Sequence, residues 1–385
     1  MVRQNLIAAK SCLISLAIAT PGGERAYIVQ GENGFRFSSD VLWRGDLLMF
    51  GAIGDNEQHT EGTLYQSVKM QVADDAKDTW GRHYAGPIQE YPAGLAPHDF
   101  AALSIWRLIS LCYKAAKELL PHSEIRLRMT IGIPMKFLVD DELSKAFLRI
   151  ARTSWYLYKN HECFADAIPL AQARERLAEA YDAIEKMGPV DTNQIVNWIR
   201  SEAEAALLWA FNSPAVSSGP YFEIDIGAGT TNASMFRIVD KNIDGSWVKS
   251  GIGFFGADSA PAGMDVVDKA LAEYLGEEAG NGYPLRGRED ELLKKAGARN
   301  SVENSLEAIR NVLVGAWRAG HRKICGPYEL AEWNDAELFV LGGGARVEHL
   351  REFVSKHPSY QESHLVKLRW ISDARTDRGP SEARL

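Results

Sequence analysis

Cysteine is scarce in this chain of 385 residues, which contains only four. Cys12, Cys112, Cys163 and Cys325 stand far apart, so none forms the closely spaced pairs that metal sites and thioredoxin-like redox motifs use. We therefore expect the four thiols to be reduced and mostly buried.

Positive charge does not dominate either, because 43 Lys and Arg residues stand against 51 Asp and Glu, which gives a formal net charge of -8, and no run of basic residues stands out. A protein whose main partner is nucleic acid usually carries a basic face, so we expect no nucleic-acid partner. Hydrophobic residues make up 46% and charged residues 24%, a balance typical of soluble globular domains. No apolar segment is long enough to predict a membrane span, so we expect no membrane partner.

One short apolar run near the start allows two interpretations. "CLISLAIA" follows Arg3 and Lys10 and ends in Ala17-Ile18-Ala19, which is similar to a signal-peptidase site. That interpretation predicts cleavage after Ala19 and a secreted protein. Because the run is short and Ser15 interrupts it, we favour an edge strand that leads into "TPGGERAYIV" and expect a cytoplasmic protein.

The first half of the chain alternates short strands with long helices. Glycine turns separate the predicted strands between residues 13 and 49, and a long helix is predicted from Asp99, as N-cap, to Leu120. A strand follows in "IRLRMTIGIP", where apolar residues alternate with others. Apolar stripes then predict three helices, in "DDELSKAFLRIARTSWYLY", "PLAQARERLAEAYDAIEKM" and "NQIVNWIRSEAEAALLWAF".

The second half repeats this order of strands followed by helices. A hairpin is predicted at 221–239, and "GADSAPAGMDVVDKALAEYL" is predicted to be a loop that enters a helix. "SVENSLEAIRNVLVGAWRAG" is predicted to be helical, and "AELFVLGGGARVEHLREFV" to be a buried strand, a glycine turn and a helix. The last stretch, "LRWISDARTDRGPSEARL", has little apolar content, and we expect it to end in a frayed tail. The coarse duplication and the length predict two domains or one two-lobed domain.

The hairpin sequence "EIDIGAGTTNAS" places an acid, Asp225, at the end of a strand beside a turn of very small residues. An ordinary hairpin explains the glycines but leaves Asp225 and the pair Thr230-Thr231 unexplained. A phosphate-binding turn explains all of them. Residues without bulky side chains let backbone N–H groups approach an anion, and a carboxylate can hold magnesium through water.

The motifs in their order resemble the superfamily of actin, the seventy-kilodalton heat-shock chaperones and the sugar kinases. "DIGAGTT" is similar to the second phosphate loop of that superfamily, and "LFVLGGGARVEHL" to its adenosine motif. "TIGIP" and "SEAEAALLWA" resemble a strand and the connecting helix with its glutamate, and "GTLYQSVKM" resembles the segment with the catalytic lysine. "PAGMDVVDKAL" is similar to the loop that enters the upper part of the second lobe, with a spacing closer to that of actin.

This resemblance implies an α/β fold of two lobes, each ribonuclease-H-like, that clamp Mg-ATP between them, as in an actin-like ATPase domain. The first lobe is expected to cover 1–214 with an irregular insert at about 36–97. The second is expected to cover 215–385 with an inserted subdomain at about 263–335.

The resemblance also implies a role for each candidate site residue. Catalytic roles fall on Lys69, which would stabilise charge on the γ-phosphate, and on Glu202 and Asp225, which would orient magnesium-bound water. Arg346 would stack its guanidinium plane on adenine. The nucleotide-binding backbone groups are expected from the glycine turns and their neighbours: Gly227, Ala228, Gly229, Thr230, Thr231, Gly263, Gly342, Gly343 and Gly344.

Each assignment has a structural alternative. Lys69 is equally explained as a solvated helix lysine, and Glu202 competes with Glu204 and with a simple exposed helix face. The turn at 342–344 is also compatible with a tight connection between a strand and a helix. Asn232 stands where the chaperones carry a second acid, so one of the groups that orient magnesium is replaced here.

The sequence departs from the superfamily at its start. The first phosphate loop, an acid-x-Gly-Thr-Thr hairpin, is expected before "SLAIATPGGERAYIV", but Ile7, Ala8, Ala9 and Lys10 supply neither the acid nor the glycine. We therefore expect this loop to be missing or degenerate, through a shortened gene product, a mis-started reading frame or a genuine loss of catalysis.

These features predict a chaperone-like protein that binds ATP and Mg²⁺, lacks a peptide-binding domain and hydrolyses ATP weakly or not at all. Two alternatives of other classes remain open: an actin-like filament protein whose assembly nucleotide controls, and a secreted protein without enzymatic activity. Light scattering that depends on ATP would distinguish the filament protein, and the mass of the mature chain would reveal cleavage. The sequence identifies no client or co-chaperone.

Overall fold

The structure is a computed structural model that describes the following residues of the chain. These are 41–50, 62–65, 68–76, 91–92, 94–119, 121, 124–125, 127, 129–138, 140–164, 166–191, 195, 197–202, 207, 211, 216–243, 246–276, 288–324, 331–333 and 336–355. Residues 4–5, 11–20, 23–28, 37–38 and 367–370 are described as strand backbone only.

The fold is mixed α/β with several sheets, as the sequence predicts, and the chain divides into two compact units. The first comprises the described residues of Met1–Ile133 and Phe137–Glu202, and the second those of Pro134–Lys136 and Ala203–Ala374. The predicted division after residue 214 lies beyond Glu202, where the first unit ends.

Three groups of strands belong to the first unit. β5 (Val41–Arg44), β6 (Leu47–Phe50), β7 (Thr63–Tyr65) and β9 (Ala167–Pro169) form an antiparallel sheet in the order β7-β5-β6-β9. β8 (Ile131–Ile133) and β10 (Ile199–Ser201) pair in parallel. Antiparallel pairing also joins β1 (Gln4–Asn5), β2 (Ser11–Thr20), β3 (Gly23–Ile28) and β4 (Phe37–Ser38). "CLISLAIA" therefore forms a strand, but it is not the predicted edge strand, because β2 lies between β1 and β3.

The helices of the first unit are α1 (Val68–Ala76), α2 (Pro97–Leu119), α4 (Asp141–Asn160) and α5 (Leu170–Met187); the division between the units crosses α3 (Met135–Leu138). α2 packs against α1 and α4, and α4 against α5. Fully buried aromatic side chains such as Tyr65, Phe100 and Trp106 fill the space between these helices and the strands. This core holds α1, and with it Lys69, in a fixed place.

One five-stranded sheet organises the second unit. Its order is β13 (Ser246–Ala260), β12 (Thr231–Ile243), β11 (Gly219–Ile226), β14 (Glu337–Leu341) and β15 (Lys367–Trp370). The first three strands are antiparallel, whereas β14 and β15 run parallel to β11. A parallel neighbour requires a crossover connection, which contains α6 (Met264–Leu275), α7 (Glu289–Leu292) and α8 (Ala296–Gly320). α9 (Glu348–Val354) follows β14.

Strand alternation divides the sheet of the second unit into two faces. Phe222, Ile224 and Ile226 of β11 point into a core that they share with α6, α8 and α9. On the opposite face, Tyr221, Phe236 and Phe339 stack on one another across three strands. The side chains that β11 turns toward the helices are therefore apolar, and Glu223 and Asp225 must lie on the face that carries the aromatic stack.

Three further local predictions from the sequence are wrong. Ile199–Ser201 is a strand rather than part of a helix, because Ile199 and Ser201 are fully buried and pair with β8. The segment predicted as a loop before α6 lies partly in β13. Asp99 is not the N-cap of α2: it lies in the first turn, where its carboxylate accepts a hydrogen bond from the N–H of Ala96 at 2.8 Å.

The strand predicted in "IRLRMTIGIP" is confirmed only over Ile131–Ile133. The two helices predicted between residues 138 and 187 are confirmed as α4 and α5, with the unpredicted β9 between them. Among the described helices, none has a stretch apolar and long enough for a membrane crossing.

Candidate functional site

Two glycine turns lie side by side at one edge of the second unit's sheet. β11 and β14 are parallel neighbours in which Asp225 stands opposite Leu341, so the two strands end together. The turn 227–230 follows β11 directly, and the turn 342–344 follows β14. The carboxyl ends of parallel strands are where α/β sheets usually bind ligands. Because β11 and β14 are parallel neighbours, two turns about 115 positions apart in the sequence lie together at the carboxyl ends of these strands.

The turn 227–230 is anchored to the start of α6. The N–H of Gly227 donates a hydrogen bond to the carbonyl of Thr230 at 2.8 Å, which closes the turn. The carbonyls of Gly227 and Ala228 accept hydrogen bonds from the N–H groups of Met264 and Asp265, at 2.9 and 2.8 Å. These donors belong to the first turn of α6, where N–H groups lack partners within the helix.

This anchoring determines where the next N–H groups point. In a trans peptide the carbonyl and the following N–H point in opposite directions. Because the carbonyls of Gly227 and Ala228 face α6, the N–H groups of Ala228 and Gly229 face away from it. Within the described residues these two N–H groups and that of Thr230 have no backbone acceptor. Successive N–H groups that point the same way form an anion-binding concavity.

Gly263 is required by the close approach between the turn and α6. A Cβ atom at this position would lie 2.3 Å from the carbonyl oxygen of Ala228, far inside van der Waals contact. Beside it, the hydroxyl of Thr231 donates to the carbonyl of Ala262 at 2.5 Å. Gly263 and Thr231, both predicted to contact nucleotide, therefore have a structural function here: they position the turn.

Gly342 makes room for Asp225. Its φ of +81° and ψ of -179° lie in a region that essentially only glycine occupies. A Cβ atom would lie 2.3 Å from Oδ1 of Asp225 and 2.4 Å from the carbonyl oxygen of Ile226. The half-buried carboxylate of Asp225 thus lies directly beside the second glycine turn.

The remaining residues of the second turn form a short 3-10 helix, Gly343–Arg346, before α9. Arg346 is exposed, as a side chain that stacks on a ligand would be before binding. Arg351 of α9 stabilises the backbone of this 3-10 helix, because its Nη1 donates to the carbonyl of Ala345 at 2.7 Å. Asp290 of α7 accepts a hydrogen bond from the N–H of Glu348 at 2.8 Å and so caps α9.

Lys69 and Glu202, the two predicted residues of the first unit, form an ion pair. Nζ of Lys69 lies 2.5 Å from Oε1 of Glu202, although 133 positions separate them in the sequence. The side chain of Glu202 is 9% exposed and that of Lys69 is 21% exposed. Lys69 is therefore not a fully solvated helix lysine, and Glu202 does not lie on a simple exposed helix face.

Glu223 and Ser234 escaped prediction from the sequence. Glu223 is 2% exposed and stands two residues before Asp225 on β11. The hydroxyl of Ser234, directly opposite on β12, donates to Oε2 of Glu223 at 2.6 Å. The signal was present in the alternation of "EID", because residues two apart on a strand share a face.

The donor set at the turns fits a magnesium ion that arrives with phosphate. Magnesium in proteins is usually held by one or two carboxylates, several waters and the oxygens of the substrate phosphates. Asp225 supplies one carboxylate at the edge where N–H groups face outward. In the described part of the chain no group of three or more His, Cys, Asp or Glu side chains could hold a metal alone.

The segment expected to replace the first phosphate loop, Ile7–Lys10, lies outside the described residues. In comparisons with known proteins, no family model matches the chain, and no curated protein matches it significantly.

Proposed function

We propose that this protein binds Mg-ATP at the edge formed by the turns 227–230 and 342–344, with weak or absent hydrolysis. One observation carries the proposal. The carbonyls of the turn 227–230 are bonded to α6, so the N–H groups of Ala228 and Gly229 point outward. The neighbouring turn 342–344 leaves space for the Asp225 carboxylate. We further propose that the protein is a cytoplasmic, chaperone-like member of the actin-like ATPases.

The phosphate subsite would consist of backbone rather than side chains. The N–H groups of Ala228, Gly229 and Thr230 would donate to the β- and γ-phosphates. The N–H of Gly227 is already used to close the turn and is left out of this set. Asp225 would hold magnesium-bound water, and magnesium would neutralise charge on the phosphates.

The nucleoside subsite would lie on the second turn. Gly343 has open space where a Cβ would stand, so a ribose could approach the backbone closely there. Arg346, exposed at the end of the 3-10 helix, would stack on adenine.

The topology of the second unit supports the proposed actin-like fold. Its sheet has an antiparallel hairpin with the predicted phosphate turn, extended by a third strand on one side and by two parallel strands on the other. This is the arrangement that a ribonuclease-H-like lobe would require, with its ligand at the carboxyl ends of the central strands.

Lys69 and Glu202 would act as a preformed pair in the first unit. A half-buried ion pair at 2.5 Å holds each side chain in one place, which is the condition for electrostatic stabilisation in phosphoryl transfer.

A thermal-shift titration tests the binding proposal. Millimolar Mg-ATP is expected to stabilise the protein, by about 2.7 kcal/mol when ATP is at one hundred times its Kd. Gly229→Val is expected to abolish the shift, because its side chain would occupy the phosphate subsite. Gly253→Val is the matched control, since Gly253 lies exposed on β13 with open space around it. No shift with the wild-type protein would overturn the proposal, as would an unchanged shift with Gly229→Val.

A further inference from the structure

Three consecutive carbonyls at the end of the second glycine turn bond to one residue, Arg351 of α9. Nη1 of its guanidinium donates to the carbonyl of Ala345 at 2.7 Å and to that of Arg346 at 3.2 Å. Its backbone N–H donates to the carbonyl of Val347 at 3.1 Å. Arg351 therefore holds the whole passage from the 3-10 helix into α9.

The place of Arg351 in α9 explains this reach. α9 begins at Glu348, with Val347 before it as the N-cap residue, whose side chain makes no capping hydrogen bond. Side chains in a helix point back toward its N-terminus. An arginine one turn inside α9 can therefore extend to carbonyls that precede the helix, and its guanidinium offers only donors.

The bonds to Arg351 determine which way the peptide groups of the turn face. In a trans peptide the carbonyl and the following N–H point in opposite directions. Because the carbonyls of Ala345 and Arg346 face Arg351, the N–H groups of Arg346 and Val347 face away from it. The N–H of Val347 donates to the carbonyl of Gly344 at 3.0 Å. Hydrogen bonds thus fix the backbone at the exposed Arg346 and at the residue that follows it.

The start of the second turn is anchored independently of Arg351. A Cβ atom at Gly342 would lie 2.3 Å from Oδ1 of Asp225, and one at Gly344 would lie 2.5 Å from Cγ2 of Ile226. These close contacts join the turn to the end of β11 and do not involve α9. Loss of the Arg351 side chain is therefore expected to release the end of the turn and to leave the part beside Asp225 in place.

We propose that Arg351 is a positioning residue for the nucleoside half of the proposed site and so determines its preference for a nucleotide over inorganic triphosphate. This inference rests on the proposed function, which assigns the nucleoside to the second turn and the phosphates to the turn 227–230. The phosphate turn is bonded to α6 and not to α9. Arg351 therefore affects the binding of ligands that contain a nucleoside and leaves the binding of phosphates unchanged.

Arg351→Met tests this preference, because methionine keeps much of the apolar stem and removes the donors. The readout is the ratio of two affinities, that for Mg-ATP and that for inorganic triphosphate with magnesium, both from isothermal titration. We expect the affinity for Mg-ATP to fall about tenfold, the effect of one or two net hydrogen bonds, and that for triphosphate to stay unchanged. Arg322→Met, which removes an exposed arginine beyond α8, is the matched control and should change neither affinity.

Arg351→Lys separates position from charge. Lysine keeps the positive charge, but its compact ammonium group does not reproduce the planar fork of the guanidinium. We expect the affinity ratio to fall about threefold, half of the tenfold loss in free-energy terms. If Arg351 only attracted phosphates by its charge, Arg351→Met would weaken both ligands equally and Arg351→Lys would match the wild type, and the inference would be overturned. If Arg351→Met does not fold, an unchanged ratio in Arg351→Lys overturns it.

A merely structural role gives a different result. In that case Arg351→Met would unfold at a lower temperature and keep the affinity ratio of the wild type, which would also overturn the inference. The wild type separates the inference from the proposed function. If it binds neither ligand, both are overturned. If it binds triphosphate as tightly as Mg-ATP, the inference is overturned and the phosphate site of the proposed function stands.

Discussion

At the scale of single residues, the neighbours Gly342 and Gly343 differ in backbone conformation and in the space that a side chain would have. Gly342 has a conformation that other residues avoid, and it is packed against Asp225 and Ile226. Gly343 has no positive φ and open space around it. The three glycines of "LGGGAR" look equivalent in the sequence, so this difference becomes visible only once β11 is in place beside β14.

Gly342→Ala is expected to lower the free energy of unfolding by about 1–3 kcal/mol, the cost of a strained backbone region. The collision with Oδ1 of Asp225 adds to that cost and displaces the carboxylate. Urea unfolding followed by circular dichroism measures the effect. Gly343→Ala serves as the control and should change stability by less than about 0.5 kcal/mol. Equal effects of the two substitutions would contradict the geometry of the turn.

Arg346→Ala tests the nucleoside subsite. If the guanidinium stacks on adenine, its loss is expected to weaken ATP binding by about 1–2 kcal/mol, the size of a partly desolvated cation–π contact. Binding of inorganic triphosphate with magnesium should not change, because it has no base to stack. Isothermal titration with both ligands measures the difference. Equal ATP affinities of mutant and wild type would show that Arg346 only lies on the surface.

At the scale of secondary structure, α4 shows how a single side chain fixes a helix end. Asp140 precedes the helix, and its Oδ1 accepts hydrogen bonds from the N–H groups of Glu142 and Leu143, each at 3.2 Å. Both donors lack acceptors within the helix. The helix then buries Phe147, Ile150 and Leu157 against the core of the first unit.

Asp140→Ala is expected to destabilise the protein by about 1 kcal/mol, since a cap is lost and two N–H groups lose their acceptor. Asp140→Asn should retain most of the stability, because an amide oxygen caps nearly as well. Asp141→Ala, next to it in the first turn and exposed, is the control for the loss of charge alone. Thermal unfolding of the three variants measures the difference. A loss as large in Asp141→Ala as in Asp140→Ala would mean that charge, not capping, stabilises this end.

Local patterns predict the elements whose signal is local. In these elements the hydrophobic periodicity and the Gly or Pro residues that end it lie within one segment. They are the hairpin β11–β12, the segment of β14, turn and α9, and helices α4 and α5. β13 was missed because Gly251, Gly253 and Gly256 are typical of loops, whereas pairing with β12 over its whole length stabilises it as a strand. β10 and β15 are too short to show a period. Their parallel partners β8 and β14 lie far away in the sequence.

The features of the candidate site also fall into two groups, those that a local sequence pattern predicts and those that only the structure shows. The glycines and Asp225 can be identified from the sequence because a turn needs particular residues. The adjacency of the two turns and the ion pair of Lys69 with Glu202 depend on register and packing. Such contacts join residues more than one hundred positions apart, and no local pattern encodes them.

At the scale of the whole molecule, the balance between binding and turnover is the main functional question. The proposed phosphate turn has its acid at Asp225, whereas the segment where the resemblance places the other loop, Ile7–Lys10, has no acid. Backbone N–H groups and magnesium suffice to bind phosphate, whereas in-line attack by water needs stabilising groups on both sides. Loss of one such group typically costs about 10²–10³ in rate.

We therefore expect hydrolysis of bound ATP to be at least about a hundredfold slower than in a relative with both loops. Single-turnover hydrolysis on purified protein measures the rate, with Asp225→Ala as the background. A rate typical of chaperone ATPases that Asp225→Ala abolishes would contradict this prediction. In that case another acid, such as Asp40 or Asp46, would have to serve the metal.

The bond between the turn and α6 has a consequence for how the second unit opens. Gly263 precedes α6 and has no side chain with which to cap it, so the carbonyls of Gly227 and Ala228 satisfy its first N–H groups. The tip of the hairpin and the start of the helix cannot fray independently, and they form one cooperative unit of local unfolding. Amide hydrogen exchange of Met264 and Asp265 should therefore slow whenever a ligand immobilises the turn, although no ligand touches the helix. Exchange there that ignores Mg-ATP while Ala228 and Gly229 become protected would show that the two open separately.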